Sequence, residues 1–214
     1  MNISLENLSL TLDSKKIMDS LSFNFEENNF YIIKGESGCG KTTLLKCIST
    51  LLNHDSGNIS YSEELPVLHL RRKIQYLPQL PVIFDGSVKE NLLKPFSFKP
   101  FDQSAPHDDE LQKKLRVLFN DVPELEKKAS KLSQGEKQRL ALCRTLMVQP
   151  QVLLCDEPTA SLDSVSRKIV EEKIVEFAKV KGNMVIFISH HAELLVDHAF
   201  ISLQMKHGKL EVVS

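Results

Sequence analysis

The sequence has no surplus of positive charge. Over 214 residues, 27 Lys and Arg stand against 28 Asp and Glu, for a net charge of −1. A general nucleic-acid binder needs a basic excess to neutralise phosphates, so this balance argues against one. Apolar runs long enough to span a bilayer, ~18 residues, are also missing. The strongest runs, Val152-Leu153-Leu154-Cys155 and Val185-Ile186-Phe187-Ile188, are strand-sized. Met1-Asn2-Ile3-Ser4-Leu5-Glu6 has neither the basic nor the apolar region of a secretory leader. The four cysteines, Cys39, Cys47, Cys143 and Cys155, form no Cys-x-x-Cys pair, which removes the usual zinc-ligand spacing. They read as small apolar fillers in a reducing compartment. There is no internal repeat or low-complexity tract. What remains is 42% apolar and 26% charged, the composition of an ordinary globular chain with ample core.

The apolar pattern alternates strands with helices. Ile3, Leu5, Leu8, Leu10 and Leu12 nearly alternate, with one phase slip at Asn7-Leu8. Phe30-Tyr31-Ile32-Ile33 reads as a buried strand. Leu44, Leu45, Ile48, Leu51 and Leu52 form a helical face after Lys41. Ile74 and Tyr76 mark a strand stopped by Pro78. Between Lys94 and Glu110, Pro95, Pro100 and Pro106 interleave with Phe96, Phe98 and Phe101. That proline density predicts an irregular loop joining two helices of a smaller helical subdomain. Leu111, Leu115, Leu118 and Phe119 then form one helix, and Leu140, Cys143 and Met147 one face of another. From Val152 the order is strand, helix, strand, strand, with a turn at His207-Gly208 before a last strand. The expected fold is α/β with a mostly parallel sheet and a helical insertion.

Gly35-Glu36-Ser37-Gly38-Cys39-Gly40-Lys41-Thr42-Thr43 fits G-x-x-x-x-G-K-[ST], with a strand before it and an amphipathic helix after it. Glycines let backbone N–H groups point into one concavity, and the helix adds its positive end. Lys41 is placed to reach the β- and γ-phosphates, the Thr42 hydroxyl to ligate Mg²⁺, and Thr43 to donate to the α-phosphate. By residue usage the pattern arises by accident in roughly one chain of this size in a hundred, and the strand–helix context lowers that further. The strand Val152-Leu153-Leu154-Cys155 ends in Asp156 and Glu157. Asp156 is placed to hold a Mg²⁺ water shell, and Glu157 to orient an attacking water.

Leu132-Ser133-Gln134-Gly135-Glu136-Lys137-Gln138-Arg139 begins another helix. Ser133, three residues before Glu136, makes a capping box, and the same helix start can present a hydroxyl and N–H groups to a phosphate. This run resembles the Leu-Ser-Gly-Gly-Gln signature of the ABC (ATP-binding cassette) ATPases. The resemblance covers nearly the whole chain. It implies a single 1–214 ATPase domain: a P-loop NTPase (RecA-like) core, an N-terminal antiparallel β subdomain, and an α-helical subdomain inserted at approximately 84–148. It also implies that Ser133 and Gly135 of one protomer cover the ATP held by a second, in a head-to-tail homodimer. Gln79 resembles the glutamine that contacts Mg²⁺, Ser161-Leu162-Asp163 the loop after the acidic pair, and His190 the switch histidine on the γ-phosphate. His191 stands where the family often has Asp. The family's adenine-stacking aromatic is missing, so Leu12 or Ile17 is expected to supply an apolar platform, and ATP and GTP both stay open. Gln134 and Glu136 depart from the commonest signature.

The resemblance further implies ATP and Mg²⁺ as ligands, a separate transmembrane permease as partner, no nucleic-acid partner, and a cytoplasmic position on the inner face of the membrane. Ile83-Phe84-Asp85-Gly86-Ser87-Val88-Lys89-Glu90-Asn91-Leu92 looks like a run common in export-type ATPases. Overall the chain is similar to the small stand-alone ATP-binding subunits of bacterial metal (iron) exporters. A cassette ATPase without a transport role, in cell division, lipoprotein release, or DNA or ribosome remodelling, is the second reading. A P-loop kinase is the third.

Overall fold

The phase slip at Asn7-Leu8 is a bulge. In the computed structural model, which describes residues 1–98, 105–189 and 199–213, Leu5 faces Phe23 and Leu8 faces Leu21, so one strand carries an extra residue. Asn7 absorbs it at φ 50. The bulge restores Leu8 and Leu10 to the buried face that holds Ile3 and Leu5.

The chain runs β1 (Ile3–Leu12), β2 (Lys15–Phe25), β3 (Phe30–Lys34), α1 (Lys41–Ile48), β4 (Ser56–Tyr61), α2 (Val67–Lys73) and β5 (Ile74–Leu77). Then come α3 (Val88–Leu93), α4 (Asp108–Arg116) and α5 (Gln134–Met147), followed by β6 (Val152–Asp156), α6 (Ser164–Ala178), β7 (Met184–Ile188), β8 (Ile201–Lys206) and β9 (Lys209–Val212). One sheet is antiparallel, in the order β2-β1-β4. The other has the order β5-β6-β7-β3-β8-β9, parallel except for the edge pair β8–β9.

Strands β3, β6 and β7 are buried on both faces, and their side chains divide by parity. Ile32, Leu153, Cys155, Val185 and Phe187 pack against α3, α4, α5 and α6. Tyr31, Ile33, Leu154, Ile186 and Ile188 pack against α1 and the antiparallel sheet. The loops after β3 and β6 therefore emerge on the same edge of the sheet, although 114 residues separate Thr42 from Asp156. This is where an open parallel sheet presents its ligand site.

The prolines between Lys94 and Glu110 predict an irregular loop, but the described ends of that segment, 94–98 and 105–110, hold regular turns. Lys94–Ser97 forms a 3-10 turn with Pro95 in its first turn, where the missing N–H costs nothing. Helix α4 begins within the segment, at Asp108, with Asp108, Asp109 and Glu110 in its first turn, where the helix dipole favours them. Phe96 packs against the core and Phe98 is exposed. Phe101 lies outside the described residues. Strand β4 and helix α2 carry no clear pattern in the sequence. Only Ile59 and Tyr61 of β4 and Leu70 of α2 pack against the core, while Val67 and Leu68 are exposed, which is too little to set a period.

Leu111 and Leu115 lie inside α4, while Leu118 and Phe119 are buried in the turn after it. Asn91, fully buried on α3, ties the preceding loop down. Its amide donates to Phe84 O (2.9 Å) and Ser87 O (3.0 Å), and its carbonyl accepts from Phe84 N–H (2.9 Å) and Arg144 Nη1 (3.2 Å). All the bonding capacity of the amide is used, so the Ile83–Asn91 run is held by α3 and α5 together.

Candidate nucleotide site

The loop from Gly35 to Gly40 is shaped by its last residue and by Lys41. Gly40 precedes α1 at φ 110, which L side chains rarely adopt. A Cβ there would stand 2.6 Å from Ile17 Cγ2 and 2.9 Å from Met205 Cε. Lys41 is 6% exposed. Its ammonium donates to Gly35 O at 2.8 Å and Glu36 O at 2.9 Å, so the loop closes round its own cation.

Asp156, buried at the end of β6, accepts two hydrogen bonds. The Thr42 hydroxyl donates to Oδ1 at 2.9 Å and the Tyr76 hydroxyl to Oδ2 at 2.6 Å. Burial, then the Asp156 carboxylate, pushes the Tyr76 phenol well above its usual range, so it remains a proton donor at neutral pH. Glu157 follows at φ 47, with its N–H donating to Ile188 O at 3.1 Å.

A cavity of about 690 Å³ opens above these groups, lined by Leu12, Asp13, Lys15, Ile17, Ser37, Gly38, Gly40, Lys41, Thr42, Thr43, Gln79 and Glu157. It brings together most of the residues singled out from sequence. Asp13 (φ 48) and Ser14 (φ 63) turn the β1–β2 hairpin so that Leu12 stands at its rim. Glu36 and Cys39 instead line an adjoining cavity of about 370 Å³, which shares Ser37 and Gly38. His190 lies outside the described residues.

Ser133 and Gly135 do not line the 690 Å³ cavity. Ser133 caps α5: its hydroxyl accepts from Glu136 N–H at 3.2 Å, while Glu136 Oε2 accepts from Ser133 N–H at 2.7 Å. A Cβ on Gly135 would lie 2.5 Å from Ser166 Oγ, so α5 meets α6 at van der Waals contact there.

Three residues at or beneath the site were not singled out from sequence. Asp13 and Lys15 come with the hairpin turn. Tyr76 carries only the signal of a strand residue, since nothing local says which strand lies beside it. Among the described residues no three His, Cys, Asp or Glu side chains cluster as a metal cage. The paired Thr42 and Asp156 oxygens nonetheless fit a hard divalent cation such as Mg²⁺, which keeps several waters and shares phosphate oxygens rather than needing an all-protein shell. Cys47 and Cys143 are pushed up by burial to about 11 and about 12, as inert core thiols should be.

A second cavity, about 430 Å³, is lined by Arg71, Arg72, Gln75, Tyr76, Phe84, Lys94, Phe98 and Arg144, among others. Arg144 stacks on Phe84 at 4.8 Å and donates to Val82 O at 2.6 Å. Burial pulls its guanidinium down to about 10, so it stays charged at neutral pH.

Behind the acidic pair, Thr159 donates to Glu171 Oε1 on α6 at 3.0 Å. Glu171 is 4% exposed, and burial raises its carboxyl above the ordinary value. The folded protein therefore holds that proton more tightly than the unfolded chain. The resulting stability is whole below the ordinary carboxyl value and is lost as pH rises through the raised one. Glu171→Gln should raise the melting temperature near pH 7.5, by about 2–4 °C for each kcal/mol relieved, with the gain shrinking toward pH 4. Melting curves across that range check it, and an equal gain at every pH would remove titration as the cause.

The family described as ABC transporter matches residues 18–160. Over 97% of this chain and 69% of the relative, the sequence is 32% identical to the Glycine betaine uptake system ATP-binding protein YehX of Escherichia coli K12. It is 30% identical to the "Probable iron export ATP-binding protein FetA" of the same organism, over 98% of this chain and 94% of the relative. The fold matches a bacterial Atm1-family ABC exporter solved with ATP bound, with a TM-score of 0.82 at 22% identity. That match covers 98% of this chain but 38% of the exporter's.

Proposed function

Since this chain belongs to the ABC transporter ATP-binding family, whose members are ATPases, we propose that it hydrolyses ATP at a two-protomer interface and drives a separate transmembrane permease. The observation that carries the reading is the 690 Å³ cavity, where Lys41, Thr42, Thr43, Gln79 and Glu157 converge.

In the proposed site Gly35 to Gly40, Lys41, Thr42 and Thr43 hold the phosphates. Thr42, Asp156 and Gln79 hold Mg²⁺, which when bound neutralises charge on the phosphates. Glu157 orients and deprotonates the attacking water, His190 meets the γ-phosphate, and Leu12 supports the base. Ser133 and Gly135 lie away from this cavity in their own chain. That supports their closing the site of a second, head-to-tail protomer. ATP binding would close the pair and hydrolysis open it.

Residues 84–148 act as the helical subdomain in this proposal, and the 430 Å³ groove is where the permease docks. Its arginines and lysine suit a segment carrying a carboxylate. No helix among the described residues is long and apolar enough to cross a membrane, so the spanning part would come from that partner, with this chain on the inner face. Export is the direction we favour. The relative named for iron export is matched over nearly its full length, and the Phe84–Asn91 run points the same way. The similarity to an uptake protein keeps import as the second reading.

ATP hydrolysis tests the two-protomer site. Phosphate release per protomer should rise with protein concentration and then saturate. A specific rate that stays constant on dilution to nanomolar protein would sink the shared site.

A further inference from the structure

We propose that Tyr76 is a positioning residue for the Asp156 carboxylate, an inference that rests on the nucleotide site described above. The parallel pairing of β5 with β6 sets Tyr76 opposite Leu154 and puts Asp156 two residues further along the same face. The phenol thus reaches the carboxylate from below, with its hydroxyl 2.6 Å from Oδ2. The opposite oxygen, Oδ1, accepts from Thr42 at 2.9 Å. Two donors on opposite oxygens fix the plane of the carboxylate, and a fixed plane presents its lone pairs in one direction.

The two donors are not equivalent. Thr42 belongs to the phosphate loop and is the hydroxyl assigned to the metal side. Tyr76 is the donor left to the carboxylate alone. Partners of ligating carboxylates set metal affinity through orientation, and their loss typically costs 10–100-fold. Tyr76 also lines the 430 Å³ groove, so Tyr76→Phe is the informative change: it keeps the ring and removes only the hydroxyl.

The experiment titrates Mg²⁺ against binding of a fluorescent ATP analogue for wild type, Tyr76→Phe and Asp156→Asn, with a parallel binding curve in EDTA and a melting curve for each. Tyr76→Phe should raise the Mg²⁺ concentration at half-saturation about tenfold, while metal-free nucleotide affinity and melting temperature stay near wild type. Asp156→Asn should raise it at least as far. If Asp156→Asn shifts the Mg²⁺ curve and Tyr76→Phe does not, the positioning role is overturned and the site reading stands. If neither variant shifts it, the assignment of Asp156 to the metal fails, and this inference fails with it. If Tyr76→Phe weakens metal-free binding as much as metal-dependent binding, the hydroxyl is merely structural and the inference is overturned.

Discussion

Glu157→Gln is expected to reduce ATP turnover about a thousandfold, or about 4 kcal/mol in the barrier, while leaving nucleotide binding intact. Glutamine has the same shape as glutamate but no basic lone pair to take the water's proton. The backbone geometry that aims residue 157, its φ of 47 and the N–H bond to Ile188 O, does not depend on the side-chain charge. A variant that binds but cannot cleave should also accumulate as an ATP-bound dimer, because closure precedes hydrolysis. Single-turnover phosphate release measures the first effect and size-exclusion chromatography with ATP the second. Hydrolysis at the wild-type rate would remove Glu157 from the chemistry.

Lys41→Ala should act one step earlier and weaken nucleotide binding. The Lys41 ammonium is nearly buried between the carbonyls of Gly35 and Glu36, so its charge is poorly screened by water. A unit charge about 4 Å from a phosphate at an effective dielectric near 20 contributes about 4 kcal/mol. Loss of that contribution corresponds to an affinity decrease of about 10²–10³-fold. The alanine variant also removes the ammonium that ties the Gly35 and Glu36 carbonyls together, leaving Glu36 O only its bond from Cys39 N–H at 3.3 Å, so the loop loses part of its closure as well as its charge. Fluorescent nucleotide binding, with a melting curve to confirm folding, checks the result. Affinity within about threefold of wild type, less than 1 kcal/mol, would mean that the phosphates bind elsewhere.

These two expectations differ in how far the chain alone supports them. Lys41 is legible because everything that shapes its loop is local: the glycines, the strand before and the helix after. The capping box at Ser133 and Glu136 is legible for the same reason, since its two hydrogen bonds span three residues. Even the bulge at Asn7 appears in the sequence, because a strand's period of two makes one extra residue visible as a phase change. Tyr76 had no such signal. Its partner Asp156 is 80 residues away, and only the pairing of β5 with β6 makes them neighbours. The start of α4 is not legible in the sequence because Pro106, two residues before it, reads as a breaker, whereas a helix accepts proline ahead of its first turn.

By itself, then, the sequence determined the phosphate loop, the acidic pair at the end of a buried strand, and the signature helix start, each built from hydrogen bonds and dihedral preferences within a few residues. It also determined that family membership would follow, since those motifs occur in order along one chain. Only the tertiary structure decided which of them share a cavity. The strand order β5-β6-β7-β3-β8-β9 brings Thr42 and Tyr76 to opposite oxygens of Asp156 and leaves Ser133 and Gly135 outside the cavity. Parallel pairing between distant strands depends on how whole faces are buried, and no local pattern carries that information.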